Sequence, residues 1–319
     1  MNVSPLSDQR GYVHDNATER RVNGSFIPGE LTLNDWMRIP SLLIALAGLA
    51  GNGAVLWLLG FRVRRTPFSV YILNLAAADA LFLCCSLLNS INRLAHHLFG
   101  SLTYFVIIYF RHASYAVGLS LLAAISTERC LSALFPLWYR NRRPRRTSAA
   151  VCAVLWALAG LLWLTRFLLC FYLYSYKFCS YIYLAIESVW FTLLSPVLCA
   201  SSLTLLLRVQ CGSRRRRPPR LSLLVLLAVL VFLLCGLPMG IWAVLYFHLH
   251  IDLMPSWLRQ LLACVNSSVN PLIYFFLGRQ GQKRREPLSV VLRRALEDER
   301  EVRDEARDSS YTNSLETSI

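Results

Sequence analysis

Seven stretches of mainly apolar residues, at about 39–60, 67–92, 102–134, 149–171, 181–209, 220–247 and 257–277, alternate along the chain with short polar or basic connections. A bilayer core about 30 Å thick takes about 20 such residues per α-helix. The runs far exceed the ten or so residues of a barrel strand and lack its strict alternation. The pattern predicts an all-α membrane protein, a seven-transmembrane helix bundle. Past the last run, Leu288, Val291, Leu292, Ala295 and Leu296 recur at helical spacing with basic residues on the other face. That predicts a C-terminal amphipathic helix, over 279–296, lying on the membrane surface.

The polar segments order the rest. Residues 1–38 form a tail without the basic start, apolar run and small-residue cleavage site of a signal peptide, so no cleaved leader is expected. The tail carries glycosylation sequons at Asn2, Asn16 and Asn23, a set that belongs outside the cell. Residues 39–278 are then the membrane domain, and 297–319 a tail, acidic and then rich in Ser and Thr, with the composition of a disordered segment.

Basic residues fix the orientation, because short cytoplasmic loops collect Lys and Arg. Alternate connections hold Arg62, Arg64 and Arg65; Arg140, Arg142, Arg143, Arg145 and Arg146; Arg208, Arg214, Arg215, Arg216, Arg217 and Arg220; then Arg279, Lys283, Arg284, Arg285, Arg293 and Arg294. The opposite loops offer little beyond Arg93 and Lys177. The N-terminus is therefore expected outside and the C-terminus inside, at the plasma membrane.

Composition agrees: of 319 residues 55% are hydrophobic and 16% charged, where a soluble domain carries roughly 25% charged residues. The net charge of +15 is then topology and attraction to anionic lipid, with no nucleic-acid partner expected.

Charged groups inside a bilayer are costly and mark function. Here they are Asp79, Glu128 and Glu187 with Arg111, Arg129 and Arg166. Around them stand Asn52 in G-N-G, Asp79 in L-A-A-A-D, Glu128 and Arg129 in S-T-E-R-C, Trp156, Pro196, C-G-L-P (Cys235 to Pro238), and N-P-L-I-Y (Asn270 to Tyr274). With these marks in order through all seven runs, residues 39–296 resemble a rhodopsin-type (class A) G-protein-coupled receptor. Three segments narrow this to a resemblance to the Mas-related G-protein-coupled receptors: L-N-L-A-A-A-D (73–79), G-L-S-L-L-A-A-I-S-T-E-R-C-L-S-A-L-F-P-L-W-Y (118–139) and N-S-S-V-N-P-L-I-Y-F-F (266–276). E-R-C in place of D-R-Y, and Gly236 in place of tryptophan, belong to the same likeness.

The resemblance implies a cell-surface receptor that binds an extracellular small molecule or peptide and activates a heterotrimeric G protein by outward movement of the sixth helix. Glu128 would hold Arg129 at rest, and Pro238, Asn270, Pro271 and Tyr274 would serve the switch; proline also bends helices that never move. Asp79, Asn266, Ser267 and Asn270 would form a mid-membrane polar cluster that in the wider class binds sodium. Gly118 replaces the usual hydroxyl, so a water-filled network and a sodium site both stay open, and no other cofactor or metal is expected. The family's disulfide between helices four and five would join Cys170 and Cys179. Ser309, Ser310, Thr312, Ser314, Thr317 and Ser318 suit receptor kinases and then arrestin, and Ile319 ends a PDZ-like sequence.

At the ligand end, Arg111 precedes Arg129 by 18 residues, five helical turns, so both share one face about 27 Å apart. If Arg129 faces the bundle, so does Arg111. Some family members carry acids in helices four and five that receive cationic peptides, and Arg166 stands where one of these is expected. Arg111 and Arg166 suit a carboxylate, while Arg166 and Glu187 also suit mutual neutralisation, or Arg166 snorkelling to the surface. Tyr104, Tyr115, Trp242 and Tyr246 are candidate aromatic walls.

Other classes fit less well. H-E-x-x-H, G-x-S-x-G and P-loop patterns are missing, so no enzyme is expected. A retinal sensor needs a Schiff-base lysine, and Lys177 and Lys283, the only lysines, lie outside the runs. A transporter is disfavoured by the odd helix count. The remaining alternative is a non-signalling, receptor-like partner that modulates or traffics another receptor.

Overall fold

The computed structural model describes residues 36–62, 66–95, 98–135, 139, 144, 146–173, 176–211, 220–279 and 287–296. Among these, seven helices are long and apolar enough to cross a membrane. They are α1 (Ile39–Phe61), α2 (Pro67–Leu94), α3 (Ser101–Leu134), α4 (Thr147–Leu173), α5 (Tyr176–Cys211), α6 and α7 (Ser256–Arg279), with a short α8 (Leu288–Leu296) behind them. The sixth comprises Arg220–Val231, a π-helical turn Phe232–Gly236, and Leu237–Leu249. The seven expected spans are all present, within a few residues of the expected bounds.

Local chemistry sets several ends. Thr66 and Ser69 form a reciprocal capping box at the start of α2, with Pro67 in the first turn. Proline is suited there, since its missing N–H has no helical acceptor. His250 closes α6 in the left-handed region at φ 55°, where the helix must stop.

α3 is the central rod, packed against α2, α4, α5 and α6. α7 is the most enclosed span, 61% buried in its most apolar stretch, whereas α5 is 17% buried. The exposed faces of α4 and α5, with Leu158, Leu161, Leu193 and Leu203 outward, are the lipid-facing surface that such a bundle requires.

Residues 280–286 of the expected surface helix lie outside the described residues. The described α8 follows Pro287, whose carbonyl accepts from the N–H groups of Val290 and Val291. Val291 and Leu292 are fully buried against α7, the inner half of α6 and α1, while Leu288 stays 45% exposed. Part of the apolar stripe is therefore spent on the bundle. At Gly278 an added Cβ would run into the Val291 backbone, so only glycine permits this approach. The sequons at Asn2, Asn16 and Asn23, the tail residues Ser309, Ser310, Thr312, Ser314, Thr317, Ser318 and Ile319, and many loop arginines lie outside the described residues.

Candidate functional site

The chemistry occupies three levels. At the middle, Pro271 lacks an N–H, so α7 leaves the carbonyl of Ser267, four residues earlier, without its helical donor. Asn52 of α1 supplies the replacement: its Nδ2 donates to the Ser267 carbonyl at 3.0 Å and to the Gly48 carbonyl at 3.0 Å. Gly48 and Gly51 let α1 come this close, because a Cβ at Gly48 would overlap Ser268 and one at Gly51 would crowd Pro271.

Asn270 Nδ2 donates to Asp79 Oδ2 at 2.8 Å, and Ser267 also hydrogen-bonds Asp79. Asp79, Asn266, Ser267 and Asn270 line one cavity together with Tyr115 and Gly118. The expected cluster is thus assembled. Asp79 Oδ1 faces the position a Cβ at Gly118 would take, 3.4 Å away, so the residue at 118 decides what meets that oxygen. Tyr274 is buried below.

At the inner end, Glu128 accepts from Tyr71 at 3.1 Å and from Tyr139 at 2.9 Å, and the Arg129 guanidinium lies 5.7 Å from the Phe68 ring centre. The tyrosines are partners that sequence reasoning did not name. Their hydroxyls are legible only once helical phase brings Tyr71 to the face of α2 that meets Glu128. Interhelical bonds brace the same half: Trp156 Nε1 donates to Asn74 Oδ1 at 3.2 Å, and the hydroxyls of Ser126 and Ser201 meet at 2.7 Å.

At the outer half, α3, α4, α5 and α6 line a cavity of about 40 Å³. Tyr115 and Glu187, both expected, line it; His112, Trp163, Trp190 and Phe191, not expected, line it too. Arg111, Arg166, Trp242 and Tyr246 are not among its lining residues; ring contacts take the last three elsewhere. The Arg166 guanidinium sits 5.4 Å from the Trp163 ring centre and 5.1 Å from that of Tyr183, and His112 stacks on Trp163 at 5.1 Å. Among the described residues no ion pair joins Arg166 to Glu187.

Trp242 stacks on Tyr246 at 5.4 Å, donates through Nε1 to Asp252 at 2.9 Å, and lies beneath Arg259, 3.7 Å from its ring centre. Asp252 and Arg259 stand 3.6 Å apart, closing a cap between α6 and α7. A lone acid three residues after α6 is the faint sequence signal for it.

Arg111 lies on α3 five helical turns before Arg129. Arg111 Nε, Arg166 Nε and Glu187 Oε2 are shut from water without a hydrogen-bond partner. Cys170 at the outer part of α4 is disulfide-bonded; the side chain of Cys179 lies outside the described residues.

The family model of the 7 transmembrane receptor (rhodopsin family) matches residues 51–274. The chain is 47% identical over 280 residues to Mas-related G-protein coupled receptor member X2 of Macaca mulatta, covering 82% of this chain and 83% of that one. The human X2 protein gives 47% over 281 residues with the same coverage, and human member X1 gives 45% over 282 residues, 83% of this chain and 84% of that one.

Proposed function

The chain belongs to the rhodopsin family of seven-transmembrane receptors, and within it to the Mas-related G-protein-coupled receptors, and from that premise we propose that an extracellular ligand bearing a carboxylate enters the outer cavity and drives nucleotide exchange on a heterotrimeric G protein. The family is one of cell-surface receptors and not of enzymes, and its partner on the inner side is a heterotrimeric G protein. The observation carrying the ligand class is Arg111, which does not itself line the cavity but adjoins the wall residue His112 in sequence, and whose buried Nε has no hydrogen-bond acceptor. A buried donor left unmade costs about 1–3 kcal/mol, more when charged, and a carboxylate removes that cost by a charge-assisted bond.

In this reading Pro238 is the pivot. It cannot donate to the carbonyl of Leu234, and the π turn accommodates the loss, with the Leu237 N–H reaching back to the Phe232 carbonyl. Outward movement of the inner half of α6 then frees Arg129 for the G protein, while Tyr71 and Tyr139 keep Glu128 satisfied. Asn270, Pro271 and Tyr274 carry the same motion into α7. Gly118 supplies no oxygen to Asp79, so the mid-membrane cluster is one ligand short for sodium and serves as a hydrogen-bonded network. The N-terminus is extracellular and glycosylated, Cys170 pairs with Cys179, and the C-terminal tail receives kinases, arrestin and a PDZ domain at Ile319.

A second reading rests on Glu187, which lines the cavity, whose buried Oε2 has no hydrogen-bond partner, and which suits a cationic group. Calcium and cyclic AMP responses of cells to matched panels of small carboxylates and cationic peptides separate the two, at equal surface staining of parent, Arg111→Ala, Glu187→Gln and Arg129→Ala. The expected result is a carboxylate response that needs at least about tenfold more ligand in Arg111→Ala, roughly the 1.4 kcal/mol of one lost charge-assisted bond, and vanishes in Arg129→Ala. A response confined to cationic peptides, lost in Glu187→Gln and indifferent to Arg111, replaces the carboxylate by a cation. Silence throughout, basal activity included, favours a non-signalling partner.

A further inference from the structure

Gly236 stands where the wider receptor class carries tryptophan, so that position has no side chain with which to feel an occupant of the cavity. Two other rings occupy the space. A Cβ added at Gly240 would fall on the Phe191 ring, and one added at Gly236 would fall 2.6 Å from Cδ2 of Phe232. Each glycine of α6 is therefore a notch holding one ring. Phe191 also forms part of the cavity wall, and its ring centre is 6.4 Å from that of Phe232. Phe232 is fully buried and its carbonyl closes the π turn, an element that recurs at functional sites.

The neighbouring Trp190 cannot play the same part. Its Nε1 donates to Ser120 Oγ at 3.1 Å, and that hydroxyl is itself bonded to the Ala116 carbonyl at 2.7 Å, so Trp190 is tied to α3. Phe191 has no polar anchor, only its seat on α6.

We propose that Phe191 is the positioning residue that transmits occupancy of the outer cavity to the sixth helix, through its seat at Gly240 and its contact with Phe232 at Gly236. The proposal rests on the reading that the cavity is the ligand site. An occupant displacing the Phe191 ring must either unseat it from Gly240 or carry α6 with it. A close-packed interior responds to such a push by changing between discrete packings and not by gradual yielding.

A tethered occupant tests this without knowledge of the natural ligand. In the full chain, Ala116→Cys places a thiol on the α3 wall of the cavity. Its thiolate attacks benzyl methanethiosulfonate, forming a benzyl disulfide and releasing methanesulfinate. G-protein dissociation is read by resonance energy transfer in cells, with the treated parent as control for native cysteines and labelling measured by mass spectrometry.

The expected result is a gain of about fivefold in activity on labelling, a modest population shift, that disappears when Phe191→Ala or the milder Phe191→Leu is added. Gly240→Ala, which wedges the seat, raises basal activity unlabelled, and adding Phe191→Ala to it returns activity toward the parent. Loss of folding alone cannot produce that rescue. An equal gain with and without Phe191 overturns the relay and leaves the cavity reading standing. Full labelling with no response in Ala116→Cys overturns both.

Discussion

The polar groups around Asp79 and those around Glu187 lie in one bundle, yet they are finished differently. In the middle, donors meet acceptors: Asn270 donates to Asp79, and Asn52 donates to the carbonyl that Pro271 leaves free; Asn52 Oδ1 and, further along α2, Ser86 Oγ and Asn89 Oδ1 are exceptions. In the outer half Arg111 Nε, Arg166 Nε, Glu187 Oε2 and Trp163 Nε1 are buried without partners. A satisfied network fixes one arrangement, whereas unpaired groups store affinity for something that arrives. The middle is built to hold helices in register, and the outer half to be completed by a ligand.

The largest effect that sharpens this contrast is expected at Asp79. Asp79→Leu removes the acceptor of Asn270 and Ser267 and leaves the Asn270 amide buried, at a cost of about 2–3 kcal/mol. Thermal unfolding of the purified receptor in detergent should show the midpoint falling by several degrees. An unchanged midpoint would mean that the middle is no better satisfied than the cavity.

A smaller effect is expected at Asn52, and it carries its own control. Asn52→Val leaves the Ser267 carbonyl without a donor, for a loss of about 2 kcal/mol. In a Pro271→Ala background residue 271 regains an N–H that serves the same carbonyl, so the Asn52→Val loss should shrink by about half. Equal losses in both backgrounds, outside the few tenths expected of independent sites, would remove the proline from the account.

How much of this was visible in the sequence follows from range. The seven helices were legible because each is a local run of apolar residues longer than a bilayer is thick, and the Asp79 cluster because its members are tied to short motifs. Helical phase alone puts Arg111 on the same face of α3 as Arg129. The cavity wall was not legible: His112, Trp163, Trp190 and Phe191 come from three helices whose mutual rotation no local pattern states. Nor did sequence show that Trp242 and Tyr246 would be drawn under Arg259, or Arg166 between two rings, since those choices belong to packing among aromatics. In α8 the apolar stripe was legible at Leu288, Val291 and Leu292, which recur at helical spacing.

The smallest expected effect on stability is the one that tests the outer half most directly. Arg111→Met keeps much of the side-chain length, removes the charge, and deletes a buried donor that has no acceptor. If Arg111 earned its place by stabilising the fold, its loss would cost as much as that of Asp79. In the present account it does the opposite: a buried Nε without an acceptor is a standing cost, so the unliganded receptor should be unchanged or gain up to about 1 kcal/mol. The midpoint should therefore hold or rise, while the response to carboxylates falls as in Arg111→Ala. A fall comparable with Asp79→Leu would place Arg111 in the structural network and end the distinction between the two regions.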